Sequence, residues 1–424
     1  MIDFDRNFPR YEDYPSETPI WCLTPKTPRV IHRFFDTSPL SPSGRFLAVF
    51  QLPEKDDFPR PGDRCGVFVV NLETGEEKKV WETAGWEFQL GANINWGRSD
   101  RELIFNDVDT TIWEPYTIVL DPLSGSRRKL PGSVYHVSPD GRMIASANLK
   151  AMRRTQGGYG VVVPDKYVPY FRGTTPEDGV WLTDIATGER RLLISIRDAE
   201  EAVSAKRRRE YAASEVYGFH TKWSPKGDRL MFSLRFFPDE GGHRFRAMNF
   251  WAEKLRYDVF SLTPDGSDLQ LAIPAEEWDK LGHHTNWKND GSGFTMNLNL
   301  FRQGMRICQC DLDGGNLKPI GGFVGSGHPS FHRNGRWGVT DCYRFENFTA
   351  PDGSVPLRFF DLQEMTERAL TRLQTRTEGD CREVDFRLDP HPVWCDDFNL
   401  LIFNAIWRGS RRVLAADMRK FQSC

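Results

Sequence analysis

No apolar stretch of this chain approaches the roughly 18 residues that span a bilayer, which excludes a transmembrane helix. The first ten residues lack both a basic start and an apolar core. A secretory leader is therefore not expected, and the reading is cytoplasmic, or periplasmic if a leader has been removed. Net charge is small as well: 56 Lys and Arg stand against 59 Asp and Glu, so nothing in the balance draws the chain to nucleic acid or to a membrane surface. The eight cysteines include no Cys-x-x-Cys pair, which argues against a zinc ribbon. Cys308 and Cys310, two apart on a strand, read as core filling, and reduced thiols fit best. No carboxylate pair stands out as the acid and nucleophile of a glycosidase.

What the chain does have is a repeat. An apolar anchor, a polar turn and a run of strand formers recur at Leu40-Ser-Pro-Ser-Gly44, Trp96-Gly-Arg-Ser-Asp100, Val137-Ser-Pro-Asp-Gly141, Trp223-Ser-Pro-Lys-Gly227, Trp287-Lys-Asn-Asp-Gly291, Phe331-His-Arg-Asn-Gly335 and Trp394-Cys-Asp-Asp-Phe398. A third strand follows each and closes in a second tight turn, such as Asn71-Leu-Glu-Thr-Gly75 or Asp184-Ile-Ala-Thr-Gly188. Asp or Asn followed by Gly supplies the positive φ of such turns. Four antiparallel strands repeated seven times predict an all-β, seven-bladed propeller with blades near 26–84, 85–132, 133–196, 215–274, 280–321, 325–371 and 388–424. The last unit ends on its third strand, so residues 18–25 are expected to supply the fourth and close the ring, removing two bare edges.

Three residues before each anchor stand Thr37, Asn93, Val134, His220, His284, His328 and His391. One histidine there reads as a partner of the neighbouring blade's backbone. Four at one structural position read as a divalent-metal cage at the axis. Asp389, two residues before His391, faces the same side of an extended segment and adds an oxygen. The expected ligands are His284, His328, Asp389 and His391. Loops joining second to third strands, or one blade to the next, are long (52–64, 149–179, 197–218, 236–257, 343–355, 370–389) and share one face. They carry Arg153, Arg154, Tyr159, Arg246, Arg344, Trp407 and Arg408, a set suited to an anionic sugar. Lys206-Arg-Arg-Arg-Glu210 reads as the solvated face of a helix over 199–214, not a nucleic-acid patch.

The pairs His220-x-x-Trp223, His284-x-x-Trp287 and His328-Pro-x-Phe331, the segment Asp389-Pro-His-Pro-Val-Trp394 and the loop Gln156-Gly-Gly-Tyr-Gly160 resemble oligogalacturonate lyase and its propeller relatives, the ulvan and rhamnose–glucuronate lyases. The likeness runs along nearly the whole chain. It implies an ion, manganese first with calcium or zinc as alternatives, held by a penultimate-blade histidine and a last-blade Gln-x-x-His-x-His. These positions fall on His328, Phe386, Asp389 and His391. The implied activity is metal-assisted β-elimination on an anionic uronate oligosaccharide. The implied base is an arginine, assigned to Arg235 with His220 as the other candidate, and Tyr159 donates to the leaving oxygen. The rival expectations are a non-catalytic binding scaffold and a propeller glycoside hydrolase.

Overall fold

The computed structural model describes residues 2–54, 59–152, 159–238, 255–344, 346–376 and 387–421. Its strands form seven sheets of four, each antiparallel and ordered as the chain runs. The seventh is completed by Ile20–Cys22, which pairs with Ser410–Asp417 in the register Ile20 with Ala416, Trp21 with Ala415 and Cys22 with Leu414. The chain is a seven-bladed β-propeller closed by its N-terminal strand.

The recurring turn explains the regularity. In five copies the glycine N–H donates to the carbonyl three residues back: Gly44 to Ser41, Gly141 to Ser138, Gly227 to Ser224, Gly291 to Lys288 and Gly335 to His332. All five glycines sit near φ +70°, a region that costs L residues energy and glycine almost nothing. In the last blade Asn399 takes the position at φ +58°. The long connections gather at the opposite end of the innermost strands.

The apolar core lies between blades. One cluster interleaves Val339, Phe359 and Trp337 of blade 6 with Leu401, Phe403 and Ala405 of blade 7 and Cys22 of the closing strand. Another joins Leu182 and Ile194 of blade 3 to Leu230, Phe232 and Phe260 of blade 4. Cys308 and Cys310 are both buried in the cluster between blades 4 and 5. Among the described residues no helix is long and apolar enough to cross a membrane.

Two elements depart from the sequence reading. The helix is shorter, Ala205–Ala212, capped by the Ser204 hydroxyl and preceded by a 3-10 turn. It is not solvated all round. Arg207 is 4% exposed and pairs with Asp258 at 3.0 Å and Glu276 at 2.7 Å, because that side of the helix faces blade 4. In blade 1 the innermost strand is only Val30–Ile31, and Leu40 touches Leu47 through an isolated bridge. Between them, Arg33-Phe34-Phe35-Asp36 leaves the blade for the axis.

Candidate metal centre and active site

The innermost strands of blades 4 and 5 each carry an irregularity in register at the histidine, between Phe219 and Thr221 and between His283 and Asn286. A bulge of this kind turns a side chain away from its regular face. His220, His284 and His391 take φ of +30°, +62° and +48° there, and Asn93 takes +51° in blade 2. In blade 6 the left-handed residue is Gly327, at φ +52°, and His328 follows it. The offset shared in sequence is therefore a shared local bend that aims the side chain inward.

At the axis one nitrogen each of His328 and His391 and one oxygen of Asp389 lie within 4.8 Å of one another, all three residues buried. His391 Nε2 is 3.9 Å from Asp389 Oδ2. Among the described residues, His328 Nε2, both ring nitrogens of His391 and Asp389 Oδ2 are buried without a hydrogen-bond partner. Orphaned polar atoms in a folded interior cost free energy, about 1–3 kcal/mol each, unless something binds them. Two imidazoles and a carboxylate are a donor set for a borderline divalent cation. Burial holds His391 well below its usual range, so that ring is neutral and able to donate a lone pair. The residues present fit a divalent ion.

The outer contacts of this cluster are fixed. Asp341 accepts from the His328 ring at 3.0 Å and from the His391 backbone N–H at 3.2 Å. Arg387 Nε donates to Asp389 Oδ1 at 2.8 Å, and its guanidinium lies 5.3 Å from the Tyr343 ring. His284 stands beside the three ligand atoms rather than among them. Its ring stacks on His328 at 3.8 Å, Nδ1 meets Gly327 O and His283 Nδ1, and Nε2 is 3.4 Å from the Tyr343 hydroxyl.

Phe34 and Phe35 form the floor. Phe34 meets His391 at 4.7 Å, His328 at 5.6 Å and His220 at 5.7 Å between ring centroids, and Phe35 meets His328 at 5.2 Å. Flanking them, Asp36 pairs with Arg33 at 2.8 Å and Lys222 at 2.9 Å, every one of these side chains 2% exposed. Burial opposes ionisation of Asp36, but Lys222 and Arg33 outweigh it and hold the carboxyl below its ordinary range. Beneath the floor lies a cavity of about 330 Å³ lined by Phe35, Asp36, His136 and Lys222 among others. The Phe34 and Phe35 rings thus lie between this cavity and the metal cluster.

One side of the axial cluster is lined by blades 3 and 4. Arg235 is 8% exposed, with its guanidinium carbon 3.2 Å from the Phe219 ring centroid. Burial lowers its pKa, against the opposing influence of Tyr217, Tyr257 and Tyr159. His220 is likewise depressed by burial and by Lys222 and Arg235, so its ring is neutral, and its Nδ1 is hydrogen-bonded to the Tyr135 hydroxyl. Tyr159 packs 5.6 Å from Phe219 and 6.4 Å from His220, where it senses Arg387, Asp389, Glu87 and Arg235.

The residue after Tyr159 is held by Glu87, whose carboxylate accepts from Gly160 N and, at 3.3 Å, from Asn93 Nδ2. Glu87 is 2% exposed, and burial raises its pKa from 4.5 to about 7. The folded state therefore holds this proton more tightly than the unfolded chain. The associated stability is present below about pH 4.5 and is lost as pH rises through about 7. Glu87→Gln should remove that dependence, so the variant gains up to ~3 kcal/mol on the wild type between pH 4 and 8. Parallel stability curves in denaturant titrations would contradict it.

No family model and no curated protein matches the sequence. Solved structures do. An oligogalacturonate lyase in complex with manganese superposes with a TM-score of 0.59 at 14% identity, over 97% of this chain and 96% of that one. The fold is that of oligogalacturonate lyase. A second such structure, from Vibrio parahaemolyticus, gives 0.60 at 14% identity, again over 97% and 96% of the two chains.

Against this fold the residues anticipated from sequence divide three ways. His328, Asp389 and His391 come together at the axis, while Arg235, His220, Tyr159 and His284 pack around them. Arg344 and Arg408 are exposed, and Arg408 covers the Trp407 ring at 4.2 Å. Trp407 itself is not on the rim. It is 3% exposed in the core between blades 6 and 7 and donates to Asp13 at 3.2 Å, because its strand is covered on both faces. Arg153, Arg154, Arg246 and Phe386 fall outside the described residues. Sequence reasoning named Tyr343 beside Arg344 among the loop residues but passed over Asp341, Arg387, Glu87 and the Phe34–Phe35 floor. Only Arg387 carried a local signal, at two residues from Asp389.

Proposed function

We propose that this protein is a lyase that cleaves uronic-acid-containing oligosaccharides by β-elimination, with His328, Asp389 and His391 holding a divalent ion, manganese in the first instance. The observation that carries the reading is the set of buried, orphaned ligand atoms of His328, Asp389 and His391 at the axis. It is supported by the fold shared with an oligogalacturonate lyase whose structure contains manganese.

The reaction breaks the bond between C4 and its glycosidic oxygen. A base removes the C5 proton, the electron pair forms the C4–C5 double bond, and the leaving oxygen takes up a proton. An ion at the three ligands supplies positive charge beside the uronate carboxylate, which makes the neighbouring C5 proton more acidic. Arg235 is the base in this reading. An arginine needs a lowered pKa for that role, and the buried setting of Arg235 acts in that direction. His220, neutral and on the same side, is the alternative. Tyr159, kept protonated by burial, is the donor to the leaving oxygen in this reading. Arg344 and Arg408, both exposed, would meet further anionic sugar units, and Arg153, Arg154 and Arg246 are assigned the same task from the sequence alone.

The test is ultraviolet absorbance of an unsaturated uronate during incubation with pectic, ulvan and arabinogalactan oligosaccharides. Absorbance should rise with manganese and be suppressed by chelator. Reducing sugar released without absorbance would make the protein a hydrolase, and no product with the ion bound would make it a binding protein. Either result overturns the lyase reading.

A further inference from the structure

We propose that Asp341 is the positioning residue of the metal centre, a single carboxylate that sets the metal-facing nitrogen of His328 and joins the two chain segments carrying the ligands. The inference rests on the metal reading above. Asp341 follows strand Trp337–Thr340 of blade 6 and is 2% exposed. Its Oδ1 accepts from the His328 backbone N–H at 2.5 Å and lies 3.1 Å from His328 Nδ1. Its Oδ2 is 3.0 Å from the same Nδ1 and accepts from the His391 backbone N–H at 3.2 Å. Room for this approach comes from Gly327, where a Cβ would stand 2.2 Å from Asp341 Oδ1.

The chemistry follows from counting donors. Two backbone N–H groups can only donate, and they take both carboxylate oxygens as acceptors. An acceptor-only group opposite Nδ1 makes that nitrogen the proton carrier of the neutral imidazole. Nε2 is then left with its lone pair, and it is the nitrogen that faces Asp389 and His391 without a partner. Outer partners of this type fix ring orientation and tautomer, and losing one typically weakens metal binding about 10- to 100-fold. Because Asp341 also holds His391 N, the same carboxylate sets the spacing between blades 6 and 7 at the site.

An amide cannot replace it. Asparagine offers one oxygen, so Asp341→Asn turns an NH₂ group towards the His328 ring or towards one of the two backbone N–H groups. Manganese titration by calorimetry should show a Kd raised about 10- to 100-fold in Asp341→Asn, with Asp389→Ala as the reference that removes a ligand. Thermal unfolding in chelator reports any purely structural role separately. If Asp389→Ala loses manganese and Asp341→Asn binds within about twofold of wild type, the positioning role is overturned while the metal site stands. If the wild type binds no manganese, the site fails and the proposal with it. A measurement without substitution at Asp341 guards against a variant that does not fold: ¹⁵N-histidine spectra of the metal-free wild type, assigned with His328→Gln. They should show His328 protonated on Nδ1, and protonation on Nε2 would refute the role.

Discussion

Asp389→Ala is expected to lower kcat/KM of the elimination by roughly 100- to 1,000-fold, the scale seen when one preorganised electrostatic stabiliser is lost. Asp389 supplies the only carboxylate oxygen of the three ligand atoms, and that oxygen has no protein partner. Its removal leaves two neutral imidazoles, with no negative charge to hold the divalent cation against water. Chelator should bring the wild type down to the level of the variant and leave the variant unchanged. A variant that still responds fully to manganese and chelator would put the ion elsewhere. The substitution also releases Arg387, whose Nε donates to Asp389 Oδ1 at 2.8 Å, so thermal unfolding in chelator is needed to separate stability from binding.

Asp36→Asn is expected to have the largest effect on stability, about 3–5 kcal/mol. The side chain keeps its size but loses its charge, and Arg33 and Lys222 are left facing each other at 2% exposure with no counter-ion. Lys222 has nowhere to move: its ammonium already donates to Thr285 O at 3.0 Å and lies 4.8 Å from the Phe35 ring centroid. Adding Lys222→Met should recover much of the loss, since removing a buried charge with its partner is far milder than stranding it. Phe34 and Phe35 lie between the two ends of this network, so Asp36→Asn should weaken manganese binding as well. Denaturant unfolding that shifts by less than about 1 kcal/mol would show that the network is not a structural support.

The propeller was legible in the sequence because its signal is local and repeated. A glycine near φ +70° at a fixed place in five turns is dictated by a handful of neighbouring residues. The histidine offset was legible for the same reason. The finer distinction between His284 and His328 was not. His391 is left-handed at φ +48° as His284 is at +62°, yet His391 joins His328 in the cluster and His284 does not, so the place in the repeat does not separate ligand from neighbour. Asp389 could be read because two residues of extended chain return to the same side. Asp341, Glu87 and the Arg33–Asp36 segment could not, since each is defined by what faces it across the ring. Trp407 misled because a strand covered on both faces shows no alternation to mark its aromatic end as buried.

The central claim is that a divalent ion sits at the axis on these three side chains. Anomalous diffraction from crystals grown with manganese tests it most directly. The account predicts one strong peak bonded to His328 Nε2, Asp389 Oδ2 and His391 Nε2, above the Phe34 ring. A well-ordered axis with no peak there, or a peak held by other residues, would contradict it.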